Sequence, residues 1–328
     1  MDFILVTGGA GFIGSNLSGV LLKDENVSVI CLDNFDPFYE PEQKRYNLLP
    51  LLSHPRFTFV ESDIRNPEAL DSILVDISCI IHLAAKAGVR PSIQNPVLYQ
   101  EVNNAGTQIL LEFARKRKIK QFVFGSSSSV YGVNPNLPWR ETEPLLPISP
   151  YAASKLTGEM LGHVYSHLYN IRFIALRFFT VYGPGQRPDL AIHKFFLAIA
   201  EGKPIPVFGD GSTSRDYTYV DDIVSGIIAA INYRDSNFEI INIGNHQVVS
   251  LQQLIDAVQE ISGKDAVIDR QPEQPGDVPA TYADISRAAM LLGYAPRTGL
   301  MDGLASFYKW FLDYRKWKAM QTIRPITL

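Results

Sequence analysis

Phe3-Ile4-Leu5-Val6-Thr7-Gly8-Gly9-Ala10-Gly11-Phe12-Ile13-Gly14 decides the fold of this chain. An apolar strand pattern runs directly into glycines spaced GxxGxxG, and a helical pattern follows. Glycines at that spacing permit a tight turn and let the backbone approach a pyrophosphate, which rests on the helix N-terminus. A glycine triplet alone is weak. Here an acidic residue, Asp33, also closes the second strand in Cys31-Leu32-Asp33-Asn34. A carboxylate there accepts hydrogen bonds from the ribose hydroxyls of NAD and repels the extra phosphate of NADP. The expected cofactor residues are therefore Gly8, Gly11, Phe12, Ile13, Gly14, Asp33 and Asn34. Asp63, in Ser62-Asp63-Ile64, has two readings: an acceptor for the adenine amino group with Ile64 packed on the ring, or a helix N-cap.

Working outward, strand patterns at Phe3–Thr7, Val27–Leu32, Arg56–Val60, Cys79–Leu83, Gln121–Gly125 and Arg172–Phe178 alternate with helical ones. The helical segments are Phe12–Lys23, Glu42–Leu52, Pro67–Leu74, Pro96–Arg117 and Pro150–Tyr169. Such alternation predicts an α/β fold, a Rossmann-type doubly wound parallel sheet. Beyond Phe178, Pro and Gly cluster and the βαβ rhythm breaks. The expected division is a dinucleotide-binding domain over 1–180, with 220–245 a candidate to rejoin it, and a smaller substrate lobe over 181–328.

The chain has 328 residues, enough for one large domain or a large and a small one. The net charge of −4 gives no footprint for nucleic acid. No apolar run is long enough to span a bilayer, and the N-terminus starts in a strand without a signal-peptide pattern. Cys31 and Cys79 lie in apolar strands and read as buried thiols, so a cytoplasmic location is expected. His163 and His167 share a helix face at i, i+4, but no third ligand is evident. A surface or subunit-interface pair is expected, and no metal.

Tyr151-Ala152-Ala153-Ser154-Lys155 puts a phenol and an ammonium on one helix face. A neighbouring ammonium favours the phenolate, so the expected Tyr151 pKa is lowered toward neutrality, which suits a general base. Upstream stands Phe124-Gly125-Ser126-Ser127-Ser128-Ser129-Val130-Tyr131-Gly132. The spacing recurs at Tyr314…Lys318, where a basic, aromatic tail reads as a surface helix without ion pairs.

Together these features resemble the extended short-chain dehydrogenase/reductase family, nearly end to end. The matching strings are TGGAGFIG (7–14), LDN (32–34), SDIR (62–65), HLAA (82–85), SSSSVYG (126–132), SPYAASK (149–155), LRFFTVYGPGQRPD (176–189), GSTSRDYTYVDD (211–222) and PGDVPATYAD (275–284). Within the family, DNFDPFYEPEQKRYNL (33–48) and AAKAGVRPSI (84–93) look like bacterial UDP-glucuronate 4-epimerases. The resemblance implies tightly bound NAD, a UDP-sugar substrate and catalysis by Ser127, Tyr151 and Lys155. It places Leu83, Ala84, Ala85, Lys86, Asn103 and Phe178 along the cofactor. It also implies a homodimer joined through a four-helix bundle built on the helices near 96–117 and 150–169.

For the substrate, the resemblance assigns Arg215 to the diphosphate, Val207 and Phe208 to the uracil, and Asp277 to the uridine ribose. Gln274 stands where a second phosphate arginine is common, and Arg270 is a candidate substitute. Ser128 and Ser129 occupy positions where related dehydratases and decarboxylases carry acids, so 4-epimerisation is favoured over both. A UDP-hexose 4-epimerase is the alternative. Thr180 stands where glucose-type epimerases carry Asn and suits a hexuronate carboxylate. Arg187 is either a second carboxylate anchor or a loop ion pair with Asp189, and Arg90 is a further candidate pocket cation.

Overall fold

The computed structural model describes residues 2–272 and 278–323. Strand β1 (Asp2–Thr7) is followed by β2 (Val27–Asp33), β3 (Phe57–Glu61), β4 (Ile77–His82), β5 (Gln121–Ser127) and β6 (Arg172–Phe178). Next come β7 (Thr180–Tyr182), β8 (Ile205–Phe208), β9 (Ser214–Tyr219), β10 (Phe238–Ile243), β11 (Val248–Ser250) and β12 (Ile268–Gln271). Seven strands form one parallel sheet in the order β10-β6-β5-β4-β1-β2-β3. The order reverses between β1 and β4, so a crevice opens beyond their carboxyl ends.

Alternation along the strands sorts the core onto two faces. Ile4, Val6, Val29 and Cys31 pack with the helices Phe12–Leu21 and Val220–Asn232. Leu5, Ile30, Leu32 and Ile80 pack on the other face with Leu110, Phe113 and Tyr165. Both cysteines are buried and free. The segment 220–245 contributes β10, which pairs in parallel with β6. The remaining strands form two small sheets, β11-β9-β7 and β12-β8.

Three expected elements differ in detail. The run Pro96–Arg117 is interrupted by a π-helical turn, Gln100–Ala105, between Pro96–Tyr99 and Gly106–Lys116. The helix expected to Leu74 ends at Asp71, where the Ser72 amide closes it on Glu68 O. The tail helix Leu300–Ile323 is not a plain surface helix. Tyr314 is buried between Tyr46, Trp310 and Trp317, with ring centroids 5.0–6.5 Å apart in that cluster, and Lys318 pairs with Glu40. The aromatic residues of this tail dock on the helix Pro41–Leu52 through Tyr46. Among the described residues no helix is long and apolar enough to cross a membrane, and no group of His, Cys, Asp and Glu could hold a metal ion. His163 packs its ring edge on Phe238 at 4.9 Å.

Candidate active site

The glycine turn caps β1. Gly8 donates its amide to Leu32 O at 2.8 Å and has φ +69°. A Cβ there would stand 2.7 Å from the Ala84 amide nitrogen, and one on Gly14 would stand 2.4 Å from Gly8 O. Both positions therefore exclude any side chain. The helix Phe12–Leu21 begins with no side-chain cap and no acid in its first turn, so its amide donors face the crevice uncompensated. Phe12, Ile13, Leu83, Ala84, Ala85 and Phe178 supply the apolar lining of this cleft.

Asp33 lies at the end of β2 and lines the same cleft. Its carboxylate accepts from the Ala10 amide at 3.2 Å and the Phe35 amide at 2.8 Å, with Lys44 Nζ 3.6 Å away. Asn34 donates to Asp63 at 2.9 Å, and Arg65 clasps both Asp63 oxygens at 2.9 Å. Those Arg65 hydrogen bonds hold the Asp63 carboxyl below the usual carboxylate range. The N-cap of the following helix is Asn66, which accepts from the Glu68 and Ala69 amides, so the capping alternative for Asp63 does not apply. Asp63 and Ile64 both line the cleft.

Lys86 lines the cleft as well, whereas Asn103 braces it from behind. The Lys86 ammonium is bound by Asp36 at 2.7 Å, tying the loop after β4 to the loop after β2 across the cleft. Asn103 does not line the cleft. Its amide group is used up by the Lys86 backbone, at 2.7 and 3.0 Å, and by Ser154 at 2.8 Å. It braces the loop that does, from within the π-helical turn.

Tyr151 and Lys155 sit in the opening turns of the helix Pro150–Tyr169, whose N-cap Ser149 accepts from the Ala152 amide. Lys155 is buried and donates to Gly125 O at 2.6 Å. Burial pulls its pKa down to about 8, against the field of Glu159. Tyr151 is near Ser127, at the end of β5, and Arg187; the Ser127 hydroxyl itself donates to Ser129 Oγ at 3.1 Å. The expected lowering of the Tyr151 pKa is corrected here. Burial raises it, with Ser127 and Arg187 opposing that rise. The i, i+4 spacing aligns the two residues, but the Lys155 head group turns to a strand carbonyl instead of the phenol.

The substrate residues expected from sequence come from several separate segments of the chain. Arg187 lines the cleft, and its Nε and Nη2 both bind Asp189 at 2.9 Å, so the loop ion pair exists. Thr180 opens β7 beside Tyr217 of β9. Arg215 bonds Ser214 O at 2.8 Å. Arg90 lies over the Phe208 ring, 5.3 Å from its centroid, so two distant segments meet there. Val207 faces the core with Ile205 because β8 alternates, leaving Phe208 half-buried as the more accessible member of the pair. Ser128 begins a 3-10 turn capped by Ser127, which accepts from the Ser129 amide at 3.2 Å. Arg270 donates to Asp210 O at 3.1 Å. Gln274 and Asp277 lie outside the described residues.

Sequence reasoning missed Asp36, Tyr39 and Lys44, which line the cleft from the loop and helix after β2. It also missed a buried polar network. Arg177 and Glu159, at 1% and 0% side-chain exposure, form a two-pronged ion pair at 2.9 and 2.8 Å. Ser126 donates to the same carboxylate at 2.6 Å, and Arg177 reaches Tyr131, which donates to Asn242. An arginine inside the apolar strand Phe173-Ile174-Ala175-Leu176-Arg177-Phe178 was the available signal, since buried charges need partners.

A family model, NAD dependent epimerase/dehydratase family, matches residues 4–244. The chain belongs to that family. A UDP-glucuronate 4-epimerase of Thermodesulfobacterium geofontis is 41% identical over 94% of this chain and 96% of its own. The solved UDP-glucuronic acid 4-epimerase of Bacillus cereus, in complex with UDP-glucuronic acid and NAD, superposes with a TM-score of 0.89. It shares 41% identity over 95% of this chain and 99% of its own. A UDP-glucose 4-epimerase of Thermotoga maritima, solved with UDP-glucose, gives 0.87 at 33% identity over 95% and 99%. The cleft of this epimerase/dehydratase family member fits the family's NAD. The glycine turn is closed to side chains where a pyrophosphate would lie, and a buried Tyr39 hydroxyl with no partner lines the same wall.

Proposed function

We propose that this protein is a UDP-glucuronate 4-epimerase, an isomerase that keeps NAD bound through turnover. The observation that carries the reading is that Tyr151 and Lys155 line the same cleft as Asp33 and the glycine turn. When bound, NAD supplies the acceptor and later the donor of a hydride at the sugar C4. Tyr151, as phenolate, takes the C4 hydroxyl proton, and Ser127 holds that hydroxyl in line. Lys155, fixed by Gly125 O, keeps a positive charge beside the reacting pair. The 4-keto sugar turns its other face, and Tyr151 returns the proton. After Ser127 come only hydroxyls, Ser128 and Ser129, so no carboxyl stands there to drive elimination.

A 4-keto uronate is a β-keto acid and loses carbon dioxide when its carboxylate bond aligns with the ketone. Thr180 and Arg187 are the proposed restraint on that carboxylate. Arg187 commits Nε and Nη2 to Asp189, which leaves Nη1 for the sugar. Arg215 serves the diphosphate, and Phe208 with Arg90 flanks the uracil side. Asp277 is kept as the ribose acceptor. The cofactor half is taken as 1–180 with 220–245, and the remainder of 181–328 as the sugar half.

A homodimer through a four-helix bundle is part of the proposal. Met160, Val164 and Leu168 form an exposed apolar stripe at i, i+4, i+8 on the helix that carries Tyr151, and Ile93 and Val97 are exposed as well. The reduced, buried thiols fit a cytoplasmic location, checked by cell fractionation. The deciding experiment incubates purified protein with UDP-glucuronate or UDP-glucose, without added NAD, and identifies products by NMR. UDP-galacturonate supports the reading. A pentose product, turnover of UDP-glucose alone, or no turnover of either overturns it.

A further inference from the structure

Of the buried side-chain polar atoms without a partner among the described residues, the Tyr39 hydroxyl alone lines the cofactor cleft. It points toward the glycine turn, 4.0 Å from where a Gly11 Cβ would be. Lys44 lies 5.1 Å from the centre of the Tyr39 ring and holds it from behind. Every neighbouring polar head is engaged: Asp33 by two amides, Lys86 by Asp36, Lys155 by Gly125 and Arg187 by Asp189. Packing alone does not account for the hydroxyl. A buried donor left unmet is destabilising, and nothing in the surrounding packing uses the hydroxyl.

We propose that the Tyr39 hydroxyl donates a hydrogen bond to the pyrophosphate of bound NAD and makes the loop after β2 a cofactor-retaining wall. The geometry is complementary. The amides at the start of the helix Phe12–Leu21 would meet the phosphates from one side, and Tyr39 from the side of Gly11, where the absent side chain leaves room. Burial and the nearby Asp33 carboxylate raise the pKa of the phenol, which keeps it in its donating form. A bond to a charged oxygen is about twice as strong as a neutral one, so one such donor suffices to slow cofactor loss.

The inference rests on the NAD reading, and its test separates the two. Full-length wild-type protein and Tyr39→Phe are purified with their cofactor, and release of NAD is followed after dilution into excess ADP-ribose. Tyr39→Phe is expected to release NAD about ten- to a hundredfold faster. Its thermal unfolding, measured on separate samples stripped of all nucleotide, is expected to be unchanged or higher, because an unmet donor is gone. Titration with adenosine, which lacks the pyrophosphate, should give equal affinity for the two proteins. Equal NAD release overturns the Tyr39 assignment. So does an equal loss of adenosine affinity, or a lower unfolding temperature, since either makes the role one of packing. Absence of NAD from the wild type as well would overturn the cofactor reading itself.

Discussion

Glu159→Gln tests whether the buried ion pair beneath Ser126 holds the catalytic helix in register. The Glu159 carboxylate accepts two prongs from Arg177, at 2.9 and 2.8 Å, and a hydroxyl from Ser126 at 2.6 Å, all out of water. Glutamine keeps the shape but removes the charge and turns one acceptor into a donor. The Arg177 guanidinium is then buried without a counter-charge. Breaking one partner of such a pair costs about 3–5 kcal/mol. That is a large share of a typical stability of about 5–15 kcal/mol. Urea unfolding at pH 7 measures the loss, read as a lower midpoint with unchanged slope. Replacing both groups, Glu159→Leu with Arg177→Met, should recover much of it, because the desolvation cost disappears with the charges. The cycle of single and double variants isolates the coupling. A Glu159→Gln loss under about 1 kcal/mol, or additive single effects, would refute the account. Because Ser126 precedes Ser127, the double variant should regain stability while turnover stays impaired. Full recovery of turnover would show that the network does not place Ser127.

Four other outcomes follow from the geometry. His82 is buried between Thr7 and Thr107, and burial, aided by Lys155, pushes its pKa down to about 3. The unfolded imidazole takes up a proton below about pH 6.5 and the native one does not, so stability is full above that pH. It is lost toward pH 3 at up to about 1.4 kcal/mol per unit. Urea midpoints should fall less steeply with acid in His82→Gln. Turnover should rise about tenfold per pH unit through neutrality, because Tyr151 is protonated in the unliganded protein, and flatten near pH 8 as Lys155 loses its proton. A flat profile from about pH 6 to 8 contradicts Tyr151 as the base. Thr180→Val or Arg187→Ala should raise a UDP-pentose by-product or lower uronate turnover, read by NMR, and unchanged product ratios in both remove their role. Val164→Asp, in the exposed stripe, should turn a dimer into a monomer by light scattering, whereas an unaltered mass rules out that face.

The Rossmann half was legible because its signals are local. Strand alternation, the glycine spacing and Asp33 each follow from backbone geometry within a few residues. The tail helix was misjudged because Tyr314 finds Tyr46 far away in the chain, and no periodic pattern reports such a meeting. Val207 points into the core, a burial that a motif match does not report.

From the sequence alone, then, came the dinucleotide turn, the sheet and the candidate pair Tyr151 and Lys155, since each rests on chemistry carried by short spacings, while Ser127 was proposed from the family resemblance. Tertiary structure decided where those groups spend their hydrogen bonds. It turned Lys155 to Gly125, gave Arg187 to Asp189 and moved Asn103 behind the cleft wall. It also left the Tyr39 hydroxyl unmet at the phosphate site. Hydrogen-bond partners and burial are properties of groups brought together from distant parts of the chain, and they set pKa values and charge balance that no local pattern contains.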